Sequence, residues 1–250
     1  MVRDARSHLP FAAVEAKILR PVHREGLIAR ARLLEALAAT PERISLILVT
    51  APAGYGKSTA LSQWAAEDSR EFAWVTLDEA DGDPVRLAGH VALALHRIQP
   101  LDPAVFRALA VGDGSRHLTA LGHLLTSIRN GNRRGVLVLD DVHELRNVTA
   151  MNFIRALAAG LPAGFQLAVG SRMMLGFGRL RSEDRSVEFG VEYLAFTKDE
   201  ARAVLAHAGW TPRTTPSTRS SGAPRGGRPA SISPPGPSAP RRIPLSRRNG

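Results

Sequence analysis

The stretch Ser45-Leu46-Ile47-Leu48-Val49-Thr50, followed by Ala51-Pro52-Ala53-Gly54-Tyr55-Gly56-Lys57-Ser58-Thr59, decides the fold of this chain. Its first six residues form a short run rich in Val, Leu and Ile, which is typical of a strand buried on both faces of a sheet. The two glycines favour a tight loop, and a helical pattern follows over Leu61–Ala66. The sequence therefore predicts a strand, a glycine-rich loop and a helix in direct succession.

This order and spacing are those of a phosphate-binding P-loop. Backbone N–H groups and the N-terminus of the helix would surround the phosphates, Lys57 would neutralise the β and γ oxygens, and the Ser58 hydroxyl would ligate Mg²⁺. Ala51 stands where the usual pattern has its first glycine. The other interpretation is a chance loop that contains Gly-Lys-Ser. The predicted nucleotide-binding residues of the loop are Ala53, Gly54, Tyr55, Gly56, Lys57, Ser58 and Thr59.

A second motif follows about 80 residues downstream, where the apolar run Val136-Leu137-Val138-Leu139 ends in Asp140 and Asp141. This is the form of a Walker B element, in which Asp140 would hold Mg²⁺ through water. Asp141 occupies the position of the group that orients or deprotonates the attacking water, which is usually a glutamate, so a shorter side chain there predicts slow turnover. Both acids could instead be ordinary residues of the loop after a strand.

Three further strands and their connections complete the predicted fold. Apolar runs at Phe72–Leu77, Gln166–Gly170 and, more weakly, Val187–Val191 alternate with helical patterns, which predicts a parallel sheet between two helical layers. The strand at 72–77, between the two motifs in sequence, points to the P-loop branch with an additional strand. Arg172, at the end of the fourth run, could reach a γ-phosphate or could be a surface arginine. The prediction is an α/β, three-layer P-loop NTPase fold.

The composition of the chain excludes several other classes of protein. The 250 residues are 44% hydrophobic and contain no cysteine, which excludes a disulfide-stapled fold and a thiol nucleophile. No signal peptide or membrane-spanning run is visible, so we expect a cytoplasmic protein without a membrane partner. The net charge is +10, but residues 211–250 hold eight Arg and no acid, which leaves 25 basic and 23 acidic groups before them. Rich in Pro, Ser and Gly, that segment is predicted to be disordered.

The chain also resembles a known family. The matching stretches are 17–21, 26–30, 33–34, 51–59, 63–65, 74–78, 83–84, 137–143 and 170–172. They are similar to the N-terminal ATPase module of the large LuxR-type transcriptional regulators of the maltose regulon activator type, which are STAND-class signal-transduction ATPases. The resemblance covers roughly residues 17–209, and Ala51 is usual in that family. It implies a switch that binds ATP or ADP with Mg²⁺, with Ile28-Ala29-Arg30 against the adenine.

The resemblance also sets the expected domain limits. Residues 1–40 would form an N-terminal extension and helix that contribute to the nucleotide site, residues 41–209 the P-loop NTPase domain, and residues 210–250 a tail. Family members continue into a sensor for an inducer and a helix-turn-helix that binds DNA, and neither is expected here, nor is oligomerisation without them. The alternatives are a stand-alone P-loop ATPase, or a truncated product with a basic tail that attracts nucleic acid.

The tail carries a prediction at the level of the gene. Codons for Ala223–Ser238 can be chosen so that a shifted frame, which reads the last base of each codon with the first two of the next, encodes a helical pattern. That pattern is similar to what the family has at this point of the chain. We therefore predict a frameshift between about Gly209 and Ala223. Sequencing the DNA tests this, because a shifted frame that stops at once or shows no apolar periodicity would contradict it.

Overall fold

A five-stranded parallel sheet forms the middle layer of the protein in the computed structural model, which describes residues 2–22, 28–111, 114–207 and 209–210. The strands are β1 Leu46–Thr50, β2 Glu71–Thr76, β3 Gly135–Asp140, β4 Phe165–Ser171 and β5 Ser186–Phe189. Their order in the sheet is β2-β3-β4-β1-β5, and every neighbouring pair is parallel. The predicted α/β parallel sheet is confirmed.

The order corrects one detail of the sequence analysis. In the sheet, β4 lies between β1 and β3 and pairs with both, although it follows both of them in sequence. The predicted strand at 72–77 is β2, and it lies at the edge of the sheet. The P-loop branch with an additional strand was therefore predicted correctly, but the additional strand is β4 and not β2. Position along the chain does not fix position in a sheet whose strands are joined by crossovers.

Helices cover both faces of the sheet. The bounds are α1 Val2–Ser7, α2 Ala31–Ala38, α3 Lys57–Glu67, α4 Pro84–Ile98, α5 Pro103–Ala110, α6 Arg116–Gly131, α7 Val148–Gly160, α8 Gly178–Ser182, α9 Val191–Leu194 and α10 Lys198–His207. Short 3-10 helices lie at Glu15–Ile18, Glu79–Gly82 and Val142–Glu144. Within the described residues, no helix combines the length and apolar character needed to span a membrane.

Alternate residues of each strand pack into two separate apolar clusters. On β1, Leu46 and Leu48 face the cluster that contains α4, α6 and α7, while Ile47 and Val49 face the cluster that contains α2 and α3. Strands buried on both faces need apolar residues at every position, which explains the continuous apolar runs in the sequence. The three predicted layers are therefore present.

Two helices begin with capping hydrogen bonds. The Asp83 carboxylate accepts from the backbone N–H groups of Val85 and Arg86 at the start of α4. The Thr197 hydroxyl accepts from Glu200 N, and the Glu200 carboxylate accepts from Thr197 N, which is a capping box at the start of α10. The predicted disordered tail lies outside the described residues from 211 onward.

A buried polar cluster joins the N-terminal segment to the loop after β2. Asp81 accepts from Lys17 Nζ at 2.6 Å and from the backbone N–H of Asp78 at 3.0 Å. Its other oxygen lies 2.8 Å from His90 Nδ1, and His90 Nε2 accepts from the backbone N–H of Val14. Burial alone would raise the pKa of Asp81, but these donors outweigh it and lower the pKa to about 2.

We predict that Asp81→Asn destabilises the folded protein by about 2 kcal/mol at neutral pH. Because the folded pKa lies below that of the unfolded chain, the stabilisation is complete above roughly pH 4 and disappears as the pH falls toward 2. Urea unfolding at several pH values measures both effects. Glu79→Gln removes the same charge at an exposed position and should change little. Equal stability of Asp81→Asn and wild type at pH 7 would contradict the prediction.

Candidate functional site

The glycine-rich loop lies between β1 and α3, as predicted. Gly54 and Gly56 have φ angles of +84° and +75°, a region that favours glycine, and Gly56 precedes the first residue of α3. The Lys57 side chain is buried, and its Nζ donates to the carbonyl oxygens of Ala51 at 2.8 Å and Pro52 at 3.1 Å. The loop is thus folded around the lysine.

Asp140 ends β3 beside the first turn of α3. Its carboxylate is buried and accepts a hydrogen bond from the Ser58 hydroxyl and, at 3.1 Å, one from the backbone N–H of Asp141. Burial raises the pKa of Asp140, and the Ser58 hydrogen bond opposes that rise. The structure therefore brings together the two residues that the sequence analysis assigned to the metal.

The same carboxylate lies against β4. A Cβ built on Gly170 would be 2.4 Å from Asp140 Oδ1, closer than real atoms approach. Glycine is therefore required at this point of β4 as long as Asp140 keeps its position. In the sequence, Gly170 was noted only as the end of a predicted strand and as part of the family resemblance.

Asp141 has an unusual backbone conformation. Its φ of +60° lies in the left-handed region, which is uncommon for residues other than glycine and is frequent at functional sites. Its Oδ1 lies 3.9 Å from Nδ1 of His143, whose other ring nitrogen lies 3.2 Å from Glu144 Oε1. The His143 side chain is largely buried against these acids.

Charges at the ends of β3 and β4 meet around Lys57. Burial is the main cause that lowers the pKa of Lys57, the carboxylates of Asp140 and Asp141 oppose it, and the Arg172 guanidinium lowers it further. Arg172 follows β4 and is exposed. The predicted residues Lys57, Ser58, Asp140, Asp141 and Arg172 thus lie together at the carboxyl edge of the sheet, where ligands of open α/β sheets bind.

A cavity of about 340 Å³ opens next to the loop. It is within the size range of small-molecule sites. Residues from three separate parts of the chain line it: Ile28, Arg30, Gly54, Gly56, Thr59, Ala60, Gln63, Phe196, Val204 and His207. Ile28 and Arg30 are the residues that the resemblance placed against the adenine. Ala53 and Tyr55 are exposed in the loop and do not line the cavity.

The far wall of the cavity was missed by the sequence analysis. The Arg30 guanidinium lies 3.3 Å from the centre of the Phe196 ring and donates to the carbonyl oxygen of Leu194. Burial lowers the pKa of Arg30, and Glu200 on α10 opposes that change. Phe196 precedes the capping box of α10, and no local pattern in the sequence indicates that α10 faces the P-loop.

The residues present fit a nucleotide with a magnesium ion. Mg²⁺ prefers oxygen ligands and few protein groups, which the Ser58 hydroxyl and the Asp140 carboxylate supply. The loop supplies N–H groups at the start of α3 for phosphate oxygens. The adjoining cavity has room for a base and a sugar.

The family described as Novel STAND NTPase 5 matches residues 24–150, just over half of the 250-residue chain. The chain belongs to the STAND NTPase family. The matched range contains the P-loop, Asp140 and Asp141. The family resemblance stated from the sequence is confirmed.

Curated relatives include the HTH-type transcriptional regulator MalT of Klebsiella pneumoniae subsp. pneumoniae and its counterpart in Klebsiella pneumoniae strain 342. Each is 33% identical over 192 residues, which are 76% of this chain and 21% of the relative. The chain therefore spans about a fifth of the length of these regulators. It is a STAND NTPase-like P-loop module related to MalT.

Solved structures with a similar arrangement include a chain of Drosophila ORC bound to DNA. Its TM-score is 0.48 at 14% identity, over 84% of this chain and 51% of that chain. A chain of Drosophila ORC bound to AT-rich DNA and Cdc6 gives a TM-score of 0.44 at 11% identity, over 69% and 57%. The fold assignment rests on the sheet order itself.

We predict that Gly170→Ala weakens nucleotide binding in the presence of Mg²⁺ by about tenfold or more and leaves binding in EDTA nearly unchanged. The added Cβ displaces the Asp140 carboxylate, which is the predicted metal ligand, without touching the loop. Calorimetric titration with ATP, with and without Mg²⁺, measures the difference. In Gly122→Ala, the matched control, the new methyl group has open space. Full Mg²⁺ dependence in folded Gly170→Ala would contradict the prediction.

Proposed function

We propose that this chain is an ATP-binding, slowly hydrolysing switch module of a LuxR-type transcriptional regulator. The observation that carries the proposal is the placement of Lys57 and Ser58 at the start of α3 beside the buried Asp140 at the end of β3. This placement joins the two motifs that the chemistry needs. Residues 41–209 would form the NTPase domain, to which residues 1–40 contribute Ile28 and Arg30.

Binding would use the chain's own groups as follows. The N–H groups of Gly54 to Thr59 donate to phosphate oxygens, and Lys57 Nζ leaves the loop carbonyls to contact the β and γ oxygens. Ser58 and Asp140 hold Mg²⁺, which, when bound, neutralises charge on the phosphates. Because burial raises the pKa of Asp140, this carboxylate is protonated, and its metal affinity is lost, at a higher pH than for an exposed aspartate.

Slow hydrolysis follows from the residues around the predicted γ-phosphate position. Asp141 would orient the attacking water, but its side chain is one carbon shorter than that of the usual glutamate. Arg172 is exposed and free to turn toward a γ-phosphate. Poor positioning of the water favours a long-lived ATP state, which suits a switch better than a motor.

Signalling would depend on the regions joined to this module. The MalT relatives are named HTH-type transcriptional regulators and are about five times as long as the aligned segment. We infer that an inducer and DNA are partners of such a regulator through those other regions. A switch works when its ATP and ADP states differ in what the neighbouring segments contact.

Binding of ATP and ADP to the purified chain with Mg²⁺ tests the proposal, with the bound nucleotide identified after denaturation. We expect Lys57→Ala to reduce ATP affinity about 100-fold, because it removes a buried cation from the phosphate site. Lys198→Ala, at an exposed position outside the cavity, is the matched control and should bind normally.

Two results would overturn the proposal. One is a folded wild-type chain that binds neither nucleotide, and the other is a folded Lys57→Ala variant that binds ATP as well as wild type does. Steady turnover on the order of 1 s⁻¹ or faster by the chain alone would indicate a stand-alone ATPase instead of a switch.

A further inference from the structure

Gln63 is a polar residue in the wall of the cavity with no role in the motifs. It lies on α3 and is only 3% exposed. Its Oε1 is buried and has no hydrogen-bond partner among the described residues. Buried polar atoms are usually paired, and an unpaired oxygen on a residue that lines a cavity points to a donor on a ligand.

The position of Gln63 along α3 suggests which part of a ligand it meets. Gly54, Gly56 and Thr59 line the P-loop end of the cavity. Gln63 lies four residues beyond Thr59, about 6 Å further along the helix. A nucleotide with its phosphates on the loop therefore directs its base toward Gln63.

The surroundings of Gln63 suit a flat ring. The side chains of Ile28, Phe196 and Val204 line the same cavity and offer apolar surface to the faces of a base. They carry no side-chain hydrogen-bonding group. Of the other lining residues, Arg30 already contacts Phe196 and Leu194. Gln63 is thus a lining residue that has an unpartnered side-chain acceptor for the edge of the base.

We infer that the Gln63 carboxamide reads the base and selects adenine, which rests on the proposed function. Oε1 accepts from the 6-amino group of adenine, and Nε2 donates to ring nitrogen N1. Guanine presents an acceptor where adenine has its amino group. To bind guanine, the carboxamide would have to turn over and place two N–H donors where the buried oxygen now lies without a partner.

The first test compares ATP with its analogue that has hydrogen in place of the 6-amino group. Wild type should bind the analogue about tenfold more weakly, while Gln63→Met should bind both equally and at the lower affinity. Methionine keeps the length of the side chain and removes the hydrogen bonds. Fluorescence or calorimetric titration with Mg²⁺ gives the four dissociation constants.

Gln63→Glu supplies a second test, in which the base preference should shift from adenine toward guanine. A carboxylate accepts at both oxygens, which matches the N1–H and 2-amino donors of guanine and leaves N1 of adenine facing an acceptor. We expect the ratio of GTP to ATP affinity to rise at least tenfold relative to wild type. If Gln63→Met does not fold, the ratio of GTP to ATP affinity of Gln63→Glu tests the inference by itself.

Gln99→Met is the matched control. Gln99 is also buried, with both carboxamide atoms unpartnered among the described residues, but it does not line the cavity. Its replacement should leave base preference unchanged. The inference is overturned if wild type binds ATP in a Lys57-dependent way while the Gln63 variants keep its preference. A wild-type chain that binds no nucleotide overturns the proposed function instead, so the two failures are distinguishable.

Discussion

The buried carboxylate of Asp140 is the constraint on which the site depends. Burying a charge is costly unless hydrogen bonds and opposite charge compensate, and the raised pKa of Asp140 shows that part of this cost persists. The Ser58 hydroxyl, the backbone N–H of Asp141 and the charge of Lys57 provide the compensation. Each has a structural requirement: α3 must begin beside β3, and Asp141 must adopt a left-handed conformation. Gly170 must lack a side chain for the carboxylate to fit.

The order of the strands makes this arrangement possible. Because β4 lies between β1 and β3, Gly170 and Ser171 lie beside Val49 and Thr50 on one side, while Val169 pairs with Leu139 on the other. All strands are parallel, so the P-loop, Asp140 and Arg172 emerge at the same edge. A sheet of this kind must be covered on both faces, which is why the apolar clusters divide between alternate residues of each strand.

Local signals in the sequence were enough for the strands and for the P-loop side of the site. The predicted apolar run Val136–Leu139 lies within β3, and the glycine-rich loop lies between β1 and α3 as predicted. The eight-residue helix α5 was not identified, because so short a segment gives little periodicity, and the helix predicted within residues 1–40 was given no bounds. The strand order and the wall formed by Phe196, Val204 and His207 depend on contacts between distant segments. No window of local sequence encodes such contacts.

The cavity explains how nucleotide binding could reach beyond the P-loop. None of the residues of α10 is buried, so few apolar contacts fix this helix, and its local stability should be low. Yet Val204 and His207 line the cavity together with Ile28 from the N-terminal segment and Gly56 from the loop. A nucleotide in the cavity would add contacts to all three segments at once. Because it would bind more tightly when the three segments meet, it would favour that arrangement. The helix most weakly held by the protein is thus the one whose position a ligand can most easily determine.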